Sequence, residues 1–274
     1  DGQSASDWIA GVVAELAAMP EVTLLPRTNV YGYMDHNYLT LVERVTDHLA
    51  ERPAHLPRQR LWKVRAGQTV LAQGAHERPL VFSGNDLPGV MLAGAVRHFI
   101  NRFGVLPGNR AIVVTNNDDA YRTAISLNEA GANVVVVDLR IGASGPLITA
   151  AKDAGIAVMA GHAVTLADGN HRVARVEISP VNEGATQITG DTVHMDCDLV
   201  AMSGGLSPAV HLHSQARGKL AWDDRTLCFK PSATHEASFN AGACNGSFDL
   251  GASLREGARA GAKAATAAGF KMPT

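Results

Sequence analysis

Ala111-Ile112-Val113-Val114-Thr115-Asn116-Asn117-Asp118-Asp119-Ala120, followed by Asn133-Val134-Val135-Val136-Val137-Asp138, is the stretch on which the fold turns. Residues 111–114 are a continuous apolar run, 118–130 predict a helix that stops at Gly131, and 133–137 are apolar again. That is a β-α-β unit with strands buried on both faces. A dinucleotide-binding unit of this kind carries G-x-G-x-x-G between strand and helix, with an acid about 20 residues further on to hold a ribose. Here Thr115, Asn117 and Ala120 stand at the three glycine places, and Asp138 supplies the acid. Asn117 puts a side chain where backbone would have to approach a pyrophosphate. Asp118 and Asp119 are expected to satisfy the helix's free N–H groups and its positive dipole end. A diphosphate there would meet like charge, at about 4 kcal/mol for two unit charges near 4 Å in an effective dielectric of 20. The unit is therefore expected to be a scaffold, with Asp118 and Asp119 not among the cofactor ligands.

Outward from this unit a pattern repeats. Trp8, Ile9, Val12, Val13 and Leu16 recur at helical spacing within 4–18, and Pro20 ends that helix. Residues 22–25 read as a short apolar strand, and 29–34, 38–46 and 60–64 as a three-stranded meander whose first turn is Asp35-His36-Asn37. Residues 69–72 return as a buried strand that stops at Gly74, and 91–103 predict a helix ending at Gly104. Beyond the central unit, 147–154 read as helix and 156–159 as strand. Residues 164–166, 172–178 and 189–194 repeat the meander, and 199–202 run as a strand into Gly204-Gly205. Meander, buried strand and glycine stop thus occur twice. A polar stretch rich in His, Pro and Arg follows, then a strand over 238–241, the turn Gly242-Ala243-Cys244-Asn245-Gly246, and a Gly/Ala-rich helix over 250–268. The duplication predicts an α/β fold of two interlocked Rossmann-like, FAD/NAD(P)-binding domains of the disulfide-reductase type. The first is expected to comprise 1–80 and 206–274 and to lack its opening β-α-β unit; the second, 81–205, is inserted in it.

With 274 residues, 46% of them apolar, the chain has material for one large core or two modest ones and is not disordered. A net charge of -2, with Lys and Arg scattered singly, gives no footprint for nucleic acid or an anionic membrane. No apolar run nears the roughly 20 residues of a membrane span. Cys197, Cys228 and Cys244 are odd in number and far apart, which argues for reduced thiols of a cytoplasmic protein rather than a disulfide, zinc or iron–sulfur set. A first residue other than Met, in sequence already helical by Ser4, leads us to expect an interior piece of a longer chain.

Two turns at the ends of buried strands are the candidate cofactor site, because open α/β sheets place ligands there. One is Gln73-Gly74-Ala75-His76-Glu77-Arg78-Pro79. The other is 242–246, leading to the last helix, whose free N–H groups would face an anion. Gly74, Ala75, His76, Glu77, Arg78, Gly242, Asn245 and Gly246 are the residues assigned. Glu77 and Arg78 either hold cofactor hydroxyls and phosphate or pair with each other at the domain junction. His76 reads as a loop hydrogen-bonding residue rather than an acid or base. His211 and His213 are spaced i, i+2, a shared face only in a strand, and no nearby Cys or carboxylate completes a zinc set. No Ser-His-Asp arrangement, P-loop or paired-carboxylate motif is present, so no catalytic residue is assigned.

Leu71-Ala72-Gln73-Gly74-Ala75-His76-Glu77-Arg78-Pro79-Leu80-Val81-Phe82, with Asn85-Asp86-Leu87-Pro88-Gly89-Val90-Met91-Leu92 after it, closely resembles the alpha subunits of heterotetrameric sarcosine oxidases. Asn101-Arg102-Phe103-Gly104-Val105, Thr115-Asn116-Asn117-Asp118 with Ala120-Tyr121, and Val137-Asp138 with Arg140 continue the resemblance, which runs along the whole chain. The run from Gly74 to Phe82 is specific; related opine and proline dehydrogenase subunits share only its outline. The resemblance implies an oxidoreductase acting on CH–NH donors. It would be a flavoprotein complex that oxidatively demethylates sarcosine to glycine, yields hydrogen peroxide, and passes a one-carbon unit to tetrahydrofolate. It further implies FAD and the amine-oxidising site on a beta subunit, FMN between alpha and beta, and NAD in the alpha subunit's first nucleotide domain. The sarcosine and tetrahydrofolate sites and the other subunits would lie outside this chain, which alone would be inactive. Gln73 departs from the Thr expected in the family's A-T-G-A turn. Two rival readings are a subunit of an opine or proline dehydrogenase-type oxidoreductase, passing electrons to an acceptor other than oxygen, and a non-catalytic interaction scaffold.

Overall fold

The computed structural model describes residues 2–271. They form two compact units, one of Asp1–Gly74 with Pro208–Thr274 and one of Ala75–Ser207. The short strands β5 (Ala75–Glu77) and β14 (Leu206–Pro208) lie where the chain passes from one unit to the other.

The first unit opens with α1 (Ala5–Ala18), whose start is fixed by the Ser4 hydroxyl accepting from the Asp7 N–H at 3.1 Å. No residue of α1 is buried. Residues 22–25, expected as a strand, are irregular; their apolar character is not matched by a neighbouring strand, and a strand without a ladder has nothing to hold it extended. The meander follows as β1 (Thr28–Met34), β2 (Tyr38–Arg44) and β3 (Gln59–Arg65), antiparallel in that order. Its first turn bends at His36 and Asn37, both left-handed. Asn tolerates that conformation, and its buried amide donates to the carbonyls of Gly67 and Ala237 while its oxygen accepts from the Tyr33 hydroxyl. β4 (Thr69–Leu71) ends this segment.

The second unit runs through β5 (Ala75–Glu77), β6 (Val90–Leu92), α2 (Ala93–Phe103), β7 (Arg110–Thr115), α3 (Ala120–Glu129), β8 (Asn133–Asp138), α4 (Pro146–Asp153) and β9 (Ala157–Ala160). A second meander, β10 (His162–Asp168), β11 (Arg175–Pro180) and β12 (Val193–Asp196), leads to β13 (Leu199–Ser203) and β14 (Leu206–Pro208). Met91 and Leu92, expected in the helix, belong to β6. The central sheet is parallel, in the order β6-β13-β7-β8-β9. Its strands alternate at a period of two. Ala111, Val113, Leu199 and Ala201 pack with Tyr121, Ala124 and Leu127 of α3. Ile112, Val114, Val200 and Met202 pack with Val164, Val176 and Ile178 of the meander. Each of the Val, Leu, Ile and Met side chains among these contributes roughly 1.5–3 kcal/mol by leaving water, and each Ala methyl less. The two meanders also share a detail: β1 slips register between Val30 and Gly32, and β10 between Val164 and Leu166.

Back in the first unit, the stretch read only as polar contains α5 (His211–Gln215) and a hairpin of β15 (Lys219–Asp223) and β16 (Cys228–Ala233). β17 (Ser238–Asn240) pairs parallel with β4, a 3-10 turn spans Gly242–Asn245, and α6 (Leu250–Ala267) closes the fold.

Candidate functional site

In an open parallel sheet the ligand crevice lies beyond the carboxyl ends of the strands, where the strand order reverses. Here that point is between β7 and β13, and three side chains fill it. Thr115 Oγ1 donates to the Ser203 carbonyl at 3.2 Å and accepts from the Asn117 N–H at 3.0 Å. Asn117 Nδ2 donates to the Ser203 carbonyl and Ser203 Oγ, both at 3.1 Å. The amide thus bridges the crevice that backbone and pyrophosphate share in a nucleotide-binding unit.

The acid at the end of β8 is equally committed. Asp138, with 0% of its surface exposed, accepts from the Tyr121 hydroxyl at 2.8 Å, from Arg140 Nη2 at 2.8 Å, and from Arg140 Nε and backbone N–H at 3.0 Å each. Four donors on two oxygens leave no lone pair suited to ribose hydroxyls. Burial, and then the Asp138 carboxylate, push the Tyr121 phenol well above its ordinary range, so it stays a donor. The Asp138 carboxylate holds the Arg140 guanidinium charged despite partial desolvation. Arg140 Nη1 reaches on to Asp118 Oδ1 at 2.8 Å.

The expectation that Asp118 and Asp119 cap α3 is corrected. Asp119 sits at the cap with φ -64 and ψ -31 and makes no side-chain cap bond; a capping side chain needs extended backbone to turn back on the helix. Asp119 instead pairs with Arg97 at 3.4 Å and Arg122 at 3.2 Å.

The eight residues assigned from sequence divide between the two units. Ala75, His76 and Glu77 form strand β5, paired with β14, where a turn was expected. Arg78 extends this pairing, its N–H donating to Gly205 at 2.8 Å and its carbonyl accepting from Gly204 at 2.7 Å. A Cβ on Gly204 would lie 3.0 Å from the Arg78 and Pro79 carbonyls, which explains that glycine by strand approach. Glu77 Oε2 accepts from the Gly94 N–H at 2.8 Å, so it caps α2 from another segment. In the first unit Gly74 has φ 82, and a Cβ there would meet nothing within 4 Å. The carbonyl of Gly74 accepts from the Ala209 N–H, and Gln73 Nε2 donates to the Ala209 carbonyl at 2.7 Å. Gly242 and Gly246 have φ 73 and 88.

Sequence reasoning missed Glu256, which organises this turn: it accepts from the Gly242 N–H at 2.7 Å and from Asn245 Nδ2 at 2.9 Å. Nothing local could have signalled a partner 14 residues away. The last helix starts at Leu250, and Asp249 takes the Ala252 N–H at 2.8 Å, a cap that the order Asp249-Leu250 does signal. His211 and His213 lie on a helix, not a strand, and His213 is buried, bonded to Asn240 and to the Lys219 carbonyl. Among the described residues no group of three or more His, Cys, Asp or Glu is placed to hold a metal ion, and no helix is long and apolar enough to cross a membrane. The three cysteines are buried and free, and burial pushes the Cys197 thiol up to about 11.

No protein-family model matches the chain. It is 44% identical over 272 residues to a sarcosine oxidase alpha subunit of Corynebacterium sp. (strain P-1), covering 99% of this chain and 28% of that protein. With the same subunit of Rhizobium meliloti (strain 1021) the identity is 39% over 259 residues, covering 94% and 25%. The chain belongs to the sarcosine oxidase alpha subunit family. It spans about a quarter of the length of these relatives. Among solved structures, thioredoxin reductase of T. acidophilum matches with a TM-score of 0.66 at 16% identity, over 95% of this chain and 79% of that one. L-proline dehydrogenase of P. horikoshii matches with 0.68 at 20%, over 96% and 46%. The α/β, parallel-sheet fold of FAD/NAD(P)-binding oxidoreductases expected from the sequence is the fold of this sarcosine oxidase alpha subunit segment. Within it, the residues of the second unit do not fit a dinucleotide.

Proposed function

We propose that the chain serves as the NAD-holding part of an alpha subunit in a flavin-dependent complex that oxidatively demethylates sarcosine, and that its first unit is the one that meets NAD. The observation that carries this reading is the filled crevice of the second unit, where Asn117 bridges to Ser203 and Asp138 is saturated by Tyr121 and Arg140. Gly74, left-handed and open on its Cβ side, offers backbone to a ligand at the end of β4. Gly242 and Asn245 are held in a fixed turn by Glu256, which presents the remaining N–H groups of that turn without rearrangement. Ala75, His76, Glu77 and Arg78, which follow Gly74 directly in the chain, belong to the same proposal, although the Glu77 carboxylate is already used at α2.

When bound, NAD supplies a nicotinamide ring able to accept hydride; FAD and FMN, carried with a beta subunit, supply the amine oxidation and electron transfer to oxygen. Within this chain the residues bind and orient, and none performs chemistry. The remaining partners belong to the same proposal: a cytoplasmic heterotetramer, with sarcosine and tetrahydrofolate bound outside this chain.

The test compares full-length protein carrying Gly74→Val or Asn117→Gly. NAD released on denaturation of the purified protein should fall at least tenfold for Gly74→Val, because a β-branched residue at positive φ costs roughly 1–2 kcal/mol and fills the approach. Asn117→Gly should keep the wild-type NAD content. Retention in the first variant with loss in the second would overturn the assignment.

A further inference from the structure

β1 has a glycine where a sheet face ordinarily carries a side chain. Gly32 stands directly opposite Thr40 of β2 and two residues before Met34. All three therefore belong to one face of the meander, since side chains alternate along a strand and cross-strand partners share a face. The register slip just before Gly32 sets up this pairing. A Cβ on Gly32 would overlap the Thr40 hydroxyl oxygen and lie 2.8 Å from Met34 Cε, whereas the Thr40 Cβ is 3.8 Å from the same point. The hollow left by the missing side chain is thus filled from two sides. Thr40 aims its hydroxyl into it, and the Met34 thioether folds back over it.

That hydroxyl has nothing to bond. Thr40 is 6% exposed, and its Oγ1 is buried without a hydrogen-bond partner among the described residues. A donor that leaves water without gaining an acceptor destabilises the fold. The Met34 side chain brings a methyl group to the hollow, and its thioether sulfur is a weak acceptor that Thr40 does not engage. Met34 is also 44% exposed. Of the other described methionines, Met19, Met91, Met159 and Met195 are half-buried and Met202 is buried. One side chain thus combines a solvent-accessible sulfur with a tip that closes over an unsatisfied donor.

We infer that Met34 is an oxidation site, at which hydrogen peroxide converts the thioether to a sulfoxide whose oxygen accepts from the Thr40 hydroxyl. The sulfur lone pair attacks one peroxide oxygen, and the O–O bond breaks as the S–O bond forms. The departing hydroxide takes the proton of the transferred oxygen and leaves as water. Sulfur loses two electrons and peroxide gains them. Exposure selects Met34 for attack, and the rotatable bonds of methionine let the new oxygen turn inward. A sulfoxide in a purely apolar contact is disruptive; here it supplies the acceptor that the hollow lacks. The site is independent of the NAD reading.

Full-length protein treated with limiting hydrogen peroxide and mapped by peptide mass spectrometry should gain one oxygen at Met34 ahead of the other methionines of residues 2–271. Methionine sulfoxide reductase should remove it. Hydrogen–deuterium exchange across β1 and β2 should be no faster in the oxidised protein than in the reduced one. Thr40→Val keeps the side-chain shape and loses the donor. Its exchange should be unchanged or slower before oxidation and roughly fivefold faster after it, the worth of one hydrogen bond. Met34→Leu should leave exchange in these strands indifferent to peroxide. Oxidation of another of these methionines ahead of Met34 would overturn the inference, as would an acceleration in wild type equal to that in Thr40→Val. Faster exchange in unoxidised Thr40→Val would do so as well, by showing that the hydroxyl was already bonded.

Discussion

Arg140 is the side chain that the second unit can least spare. Removing its side chain leaves buried Asp138 with the Tyr121 hydroxyl and the backbone N–H of residue 140 but no counter-charge, and an uncompensated buried charge costs about 3–5 kcal/mol. Arg140 is itself 34% exposed, so water screens part of the pair and the lower end of that range is expected. Urea unfolding should show Arg140→Ala strongly destabilised and Arg140→Ala with Asp138→Asn recovering much of the loss; no recovery would mean that packing, not charge, is at stake. A second residue-scale expectation concerns acid. The Lys230 ammonium at 2.5 Å, and then the Thr226 N–H, hold the Asp223 carboxyl well below the usual carboxylate range. A depressed folded value adds stability that is full above the unfolded value of about 3.9 and is lost as pH falls through the folded one. The stability gap between wild type and Asp223→Asn should thus stay constant from neutral pH down to about 5 and narrow only below about 4. A gap that narrows between neutral pH and 5 would point to another group. At this scale the sequence exposed what was missing and hid what replaced it. Thr115, Asn117 and Ala120 could be read against the glycine pattern because that pattern is contiguous. Ser203 and Glu256 act across dozens of residues or a full helix, so no local spacing announces them.

At the scale of elements, legibility followed length. β7, β8 and β13 are continuous apolar runs bounded by polar or glycine residues, and α3 stops two residues short of Gly131, so each stands out alone. β5, β6 and β14 are three residues each, too short for a period of two to show, and exist only because a neighbour supplies the ladder. Residues 22–25 fail in the opposite sense, having strand composition and no ladder. The β10–β11 connection offers a sharp test. A Cβ on Gly169 would overlap the Arg172 carbonyl oxygen and lie 3.0 Å from the Ala174 N, both backbone atoms that cannot swing away. Gly169→Ala should lower stability by about 1–3 kcal/mol, read as a fall in the melting temperature; an unchanged melting temperature would show that the turn has room to spread.

For the molecule as a whole, the two units differ in how the chain builds them. Ala75–Ser207 is continuous and encloses two of the three core clusters, one on each face of its sheet. The other unit is assembled from two distant segments, and its described core cluster is smaller, with Tyr33, Leu39, Leu71 and Ala216 as its buried members. Residues 75–207 expressed alone should therefore unfold cooperatively, as followed by circular dichroism, and a broad non-cooperative melt would refute that. The repeat of meander and buried strand could be read from the sequence because each meander is long enough to show its pattern, whereas β5 and β14 are too short to show one.

The Asn117 amide is tethered to the same chain as its acceptor on Ser203, so its effective concentration does not fall when the protein is diluted, and free nucleotide competes with it on unequal terms. Free nucleotide would have to exceed that fixed effective concentration, of roughly millimolar order for a short tether, before it could displace the amide.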